Sequence, residues 1–156
     1  VTLSGDVTVL DGLNSIQLEP IDLSTLSSND ETITRTILIP NDVKNVSGQE
    51  EVSIHVIIHG KQIKTLRTTN IVFIGVEEKS KATSLSQQVQ VTIRADASDA
   101  QKILAGNIRI VADMSGYTQE GTYQVPVSVY VDGYDSAGAI GQYSIAANLA
   151  PATAEE

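Results

Sequence analysis

Ile108-Arg-Ile-Val-Ala-Asp113-Met-Ser-Gly116, followed after a polar turn by Gly121-Thr-Tyr-Gln-Val-Pro-Val-Ser-Val-Tyr-Val131, decides how this chain is read. In the second run Val125, Val127, Val129 and Val131 alternate with Gln124, Pro126, Ser128 and Tyr130. Side chains of a strand point to opposite faces in turn, so this run is a strand with one apolar and one wet face. The first run is a strand ending in a turn led by Asp113. An Asp placed before Ser or Gly accepts bonds from nearby backbone N–H groups and shapes the turn.

A weaker copy of the same pattern lies between Ile16 and Pro40, around Ile21-Asp22-Leu23-Ser24. Laying Val91-Thr92-Ile93 on Val1-Thr2-Leu3 sets an offset of 91 − 1 = 90. Thr122 then falls on Thr32, and Val127 and Val129 fall on Ile37 and Ile39 in the same register. The two aspartates differ by 113 − 22 = 91, one insertion away. Element order and strand face agree, so the chain reads as a tandem duplication.

The rest of the chain is placed around these two copies. Val7, Leu10, Leu13 and Ile16 make one face of a short helix with Asp6 as its N-cap, weakened by Gly12. Thr32 to Ile39 is a strand with Ile33, Arg35, Ile37 and Ile39 on one face, and Glu51 to His59 another with Val52, Ile54, Val56 and Ile58 inward. Leu66 to Val76 is an apolar strand pair, Glu77 to Lys81 a charged surface loop, and Gln88 to Ile93 a strand. Asp96 to Ala105 is a helix capped by Asp96 or Ser98, with Ala100, Ile103 and Leu104 inward and Gly106 at its C′ position. Gly141 to Leu149 is the last strand.

The division is residues 1–60 for the first unit, 61–149 for a complete second unit, and 150–156 for a flexible tail. Lys61 to Gln90 has no counterpart ahead of Val1, so the first unit is expected to be truncated at its N-terminus. An open sheet edge there invites self-association.

Composition narrows the function classes. The 156 residues are 41% hydrophobic with one Phe, one Met and no Trp, so the core is aliphatic and the enriched β-branched residues favour strands. A net charge of −9 repels phosphate backbones and anionic lipid, which disfavours nucleic-acid and membrane-surface partners. With no cysteine, neither a disulfide scaffold nor a thiolate site is available. No apolar run reaches the ~20 residues of a membrane span.

No residue is assigned a catalytic, cofactor or metal role. His55 and His59 share a strand face, but four strand residues span about 13 Å, too far to grip one metal. Asp132-Gly133-Tyr134-Asp135-Ser136 reads as a hairpin turn rather than a calcium loop, because it lacks the closing Glu. No nucleophile-elbow motif surrounds any Ser. Asp22, Ser24, Asp113, Ser115 and Gly116 are read as turn-shaping. Tyr130 is the residue read as facing a partner, with the reading that it covers the edge of an aliphatic core equally open.

At these residues the chain resembles the YbbR-like domain. Val91-Thr92-Ile93, the helix from Asp96, Ala112-Asp113-Met114-Ser115-Gly116 and Gly121 to Val127 carry the pattern in the second unit. Pro20-Ile21-Asp22-Leu23-Ser24 and Ile39 to Val43 carry it in the first. Met114 departs from the family's usual Leu, and Thr25 stands where the first turn would have Gly. The resemblance implies a mainly β fold of two tandem domains, each with one short helix, similar to the C-terminal domain of the long 5S-RNA-binding ribosomal protein. It implies a non-enzymatic, extracytoplasmic bacterial module, tethered to the membrane by a segment outside these residues. Its partner would be a membrane-bound diadenylate cyclase, whose cyclic di-AMP synthesis it regulates. The alternative is a structural or adhesin-like repeat of the cell surface.

Overall fold

Strands carry most of residues 1–152, the part described in the computed structural model, as the β-branched composition leads one to expect. The chain separates into two compact units. The first is Val1–Leu23 with Ser28–Ile58, and the second takes the short segment Ser24–Ser27 together with the chain from His59 onward.

In the first unit, β1 (Leu3–Gly5) leads into the helix α1 (Val7–Gly12) and then into β2 (Gln17–Leu18). The Asp6 carboxylate caps α1 by accepting from the Thr8 N–H at 2.8 Å. The helix stops at Gly12, short of the expected Ile16. Glycine gains least from helical order, and Leu13 is already extended. β3 (Asp30–Leu38), β4 (Val43–Asn45) and β5 (Glu51–Ile57) complete the unit. β2, β3 and β5 form one antiparallel sheet, and β1 pairs with β4. Ile33, Arg35 and Ile37 lie on one face of β3 while Thr32, Thr34 and Thr36 face water.

The second unit adds three strands before repeating that plan: β6 (Lys61–Thr68), β7 (Ile71–Ile74) and β8 (Ser80–Ser84). The expected surface loop ends at Lys79, because Ser80 to Ser84 pairs with the last strand. There follow β9 (Val89–Asp96), the single helical turn α2 (Ala97–Ala100), β10 (Ile108–Asp113), β11 (Gly121–Val131), β12 (Gly138–Ala139) and β13 (Tyr143–Pro151). One sheet runs β7-β10-β11-β13-β8 and the other β12-β9-β6. The core lies where the two sheets face each other, from Val91 and Ile93 of β9 to Ile110, Val125 and Ile145 of β10, β11 and β13.

The expected helix from Asp96 to Ala105 is cut to one turn. Ala100 and Ile103 are buried as the apolar spacing requires, whereas Leu104 points outward. Lys64 Nζ donates to the carbonyls of Ala100 at 3.0 Å and Ile103 at 2.7 Å, groups that a longer helix would have bonded to its own N–H groups. Gly106 has no positive φ and so is not a left-handed C-cap. Asp96 makes no capping bond to the turn. Its carboxylate takes the Lys61 ammonium at 2.8 Å instead. The last strand also runs further than expected: Ala150 and Pro151 pair with Lys81 and Ser80, and the Ala152 N–H reaches Lys79 O at 2.8 Å. Of the stretch read as a flexible tail, residues 153–156 lie outside the described residues.

The strand pairings of the first unit recur in the second. β1 with β4, β2 with β3 and β3 with β5 correspond to β9 with β12, β10 with β11 and β11 with β13, all antiparallel. The register changes one detail of the alignment. Leu18 lies opposite Ile37, and Ala112 lies opposite Val127. With Ile37 and Val127 as counterparts, the residue standing in the place of Asp113 is Glu19, not Asp22.

Candidate functional site

Asp113 ends β10 and holds the turn that follows. Its Oδ1 accepts from the Ser115 N–H at 2.9 Å, and this bond pulls the carboxyl below its ordinary value of 3.8. Met114 between them is buried, its N–H bonded to Ile74 O at 2.8 Å, and its own carbonyl accepts from the Tyr117 N–H at 2.9 Å. β7 lies parallel to β10, so Gly75, just past β7, comes against this turn. Asp22 directly precedes a short 3-10 turn, Leu23–Thr25. Asp22 belongs to the first unit, whereas Ser24 belongs to the second and its carbonyl accepts from the Gly141 N–H at 3.1 Å.

Tyr130 stands on the open face of the five-stranded sheet, 49% exposed, in line with the exposed Gln124, Pro126 and Ser128. Arg109 lies opposite it on β10, with its guanidinium carbon 5.0 Å from the ring centroid. Two further bonds fix that guanidinium, Nε to Asp132 Oδ2 at 2.7 Å and Nη2 to Asp132 Oδ1 at 2.8 Å. The bidentate bond from Arg109 holds the Asp132 carboxyl below its ordinary value, and the same bond raises Arg109. A planar fork gripped at both oxygens is a well-defined pairing, so the tyrosine rests on a pre-positioned base. Beside it, Val111 lies between Val72 of β7 and Ser128 of β11, with Val72 and Ile74 exposed at the sheet edge. The face thus offers an aromatic ring, a paired charge and an aliphatic strip. Protein-binding surfaces use this mixture, since Tyr and Arg gather where partners dock.

Sequence reading found Tyr130 but not Arg109, Asp132, Val72 or Ile74. Arg109 and Asp132 are 23 positions apart and meet through antiparallel pairing. Val72 reaches Val111 only through the parallel β7–β10 pairing, which leaves no local pattern.

The other candidates fall elsewhere. His55 Nε2 lies 2.6 Å from Asp30 Oδ1 across the β3–β5 pair, both exposed. Among the described residues, no three or more His, Asp or Glu come together as a metal site. Asp132 to Ser136 is not a hairpin: it carries the chain from β11 in one sheet to β12 in the other. Its Gly133 takes φ +86°, Asp132 is committed to Arg109, and Ser136 O accepts from Lys61 Nζ at 3.3 Å. A groove of about 690 Å³ opens between Pro126–Val129 of β11 and Gly141–Ser144. The Tyr143 hydroxyl is held at the β9 end of that region, accepting from the Thr92 N–H at 2.9 Å and lying 2.6 Å from Ile140 O. Among the described residues no helix is long and apolar enough to cross a membrane.

Residues 1–58 match the family described as YbbR-like protein. No curated protein matches the chain. Among solved structures, a YbbR-like domain from Listeria monocytogenes is similar to this chain at 15% identity. That comparison covers 61% of this chain and 99% of that one, with a TM-score of 0.46. A YbbR-like protein from Streptococcus pneumoniae is similar at 18% identity over 61% of this chain and 50% of that one, with a TM-score of 0.44.

Proposed function

We propose that this chain is a protein-interaction module built of tandem YbbR-like units, working without chemistry of its own. The observation that carries this reading is the exposed Tyr130, braced by the Arg109–Asp132 pair on an open sheet face. A ring held in place gives a partner contact area at little entropic cost, which suits recognition rather than turnover. Residues 1–58 match the YbbR-like family, and the partner class is the one that resemblance to this family implies. On that basis the module sits outside the cell membrane, tethered by a segment beyond these residues. It engages a membrane-bound diadenylate cyclase and sets its output of cyclic di-AMP.

The test is co-expression of the membrane-tethered protein with such a cyclase, with nucleotide output measured by mass spectrometry and association by co-purification. The expected result is a change in cyclic di-AMP that Tyr130→Ala weakens at least tenfold in apparent affinity, with unit-two folding unchanged. Absence of both association and altered output would overturn the reading. Retention of the chain on cell-wall glycan instead would favour a surface adhesin.

A further inference from the structure

The two sheets of the second unit end in β7, β8, β12 and β6, and all of these edges but one are guarded. β12 is two residues long, β6 carries Lys61, Lys64 and Arg67, and β8 is a polar Ser-Lys-Ala-Thr-Ser that includes Lys81. Brevity and cations are common means of stopping a sheet edge from pairing with another chain. β7 has no cation and no polar side chain. It reads Ile71-Val72-Phe73-Ile74, and among the described residues it pairs only with β10. Val72 is 37% exposed and Ile74 47%.

The pairing with β10 fixes which backbone groups of β7 face outward. The Ile110 N–H donates to Asn70 O at 3.0 Å and the Met114 N–H to Ile74 O at 2.8 Å, so these carbonyls face β10. Backbone groups change sides from one strand residue to the next, which turns the N–H and C=O of Phe73 and the C=O of Ile71 away from β10. The Ile71 N–H is already taken by Thr69 O at 3.0 Å. Phe73 therefore presents a donor and an acceptor on one side, the pair that a single residue of an antiparallel strand satisfies. Beyond Phe73 the edge turns acidic. Glu77 and Glu78 are exposed, their carboxylates have no partner among the described residues, and Asp113 lies beside Ile74. Lys79 is the one cation that follows them in this stretch.

We propose that β7 is a docking edge. By antiparallel addition it takes one extended segment of a partner protein, basic at its start and then alternating polar and apolar. The inference rests on reading the chain as an interaction module and adds the form of what it binds. The partner residue set opposite Phe73 exchanges both backbone bonds with it. Its two neighbours fall opposite Val72 and Ile74 and are apolar, because their side chains extend the strip that runs from Val72 through Val111 toward Ser128 and Tyr130. The antiparallel direction brings the start of the segment beside Gly75 to Glu78, where Lys or Arg meets the unpaired carboxylates. At longer range the net charge of −9 favours the same sign of partner. Main-chain bonds give such docking its affinity, and the side chains give it selectivity.

The probe is the peptide Lys-Lys-Thr-Val-Thr-Val-Thr, blocked at both ends and titrated into the 156-residue chain, with amide exchange read by NMR. At saturation the Phe73 amide is expected to exchange at least tenfold more slowly, with β13 unchanged. Proline in place of the Thr between the two valines removes the N–H that Phe73 O would accept, and should weaken binding at least tenfold. Two Glu in place of the two Lys should do the same, as should Val72→Lys, which sets a charge on the edge at an exposed position. No slowing at Phe73, or equal binding by the proline or glutamate peptide, would overturn the proposal. So would a Phe73 amide that, without peptide, exchanges as slowly as that of Ile110. Protection of Phe73 that rises with dimer formation of the chain alone, followed by sedimentation, would make a second copy the occupant and the proposal wrong. The peptide assay needs no cyclase, so its failure leaves the proposed function standing. Cyclase association lost in Tyr130→Ala but kept in Val72→Lys would overturn this inference alone.

Discussion

Replacing Gly75 by Ala probes the turn at the end of β7, where the second unit's sheet meets Asp113. Gly75 has φ +68°, and a Cβ built on it falls 2.8 Å from Asp113 Oδ1, 2.9 Å from Ser115 N and 3.0 Å from Ser115 Cβ. Two costs add. Left-handed backbone costs an L side chain roughly 1–2 kcal/mol. Displacing the carboxylate and the Ser115 backbone is a local overpacking of about 1–3 kcal/mol, and it takes Asp113 away from the N–H that it accepts. Gly75→Ala is therefore expected to lose about 2–5 kcal/mol.

Gly133→Ala is the matched control, because Gly133 has φ +86° with nothing within 4 Å. It should lose only the backbone part, about 1–2 kcal/mol. Urea unfolding followed by tyrosine fluorescence reads the second unit by itself, since the chain has five tyrosines, all after residue 116, and no tryptophan. The midpoints are compared at equal slope, so that a change in the unfolded state is not mistaken for one in the turn. Equal losses in the two variants would refute the reasoning, because the crowding against Asp113 and Ser115 would then carry no energy.

Ile145→Ala, which empties a site 1% exposed between the two sheets, should cost about 2–5 kcal/mol. Ile54→Ala on half-buried β5 should cost clearly less, as read from amide exchange in β3 and β5, and equal costs would mean that the first unit packs as tightly as the second. Acid titration of stability checks the Arg109–Asp132 pair. Because Arg109 lowers the Asp132 carboxyl, the folded state holds fewer protons near pH ~4 than the unfolded state does. Its contribution is complete above that pH and is lost as pH falls through the folded value. Asp132→Asn should flatten that part of the curve, and an unchanged slope would show the pair to be inert.

Alternation in β3, β5, β11 and β13 was legible because a period of two sorts side chains onto two faces wherever one face is buried. The Asp6 cap and the Asp113 turn were legible for a similar reason: each bond closes within two residues of its own aspartate. The shared order of strands in the two units was legible in outline, but the register was not. Asp22 resembles Asp113 in its neighbours, and only the pairing of Leu18 with Ile37 shows that Glu19 takes that place. The short α2, the extension of β13 to Pro151 and the strand at Ser80–Ser84 all depended on partners far along the chain. Lys64 ends the helical turn from the neighbouring strand β6, and β8 and β13 order each other. The candidate surface divides in the same way. Tyr130 announces itself by alternation alone, whereas Arg109, Asp132 and Val72 reach it only through sheet pairing, and pairing across a sheet is a property of the tertiary structure that no local pattern encodes.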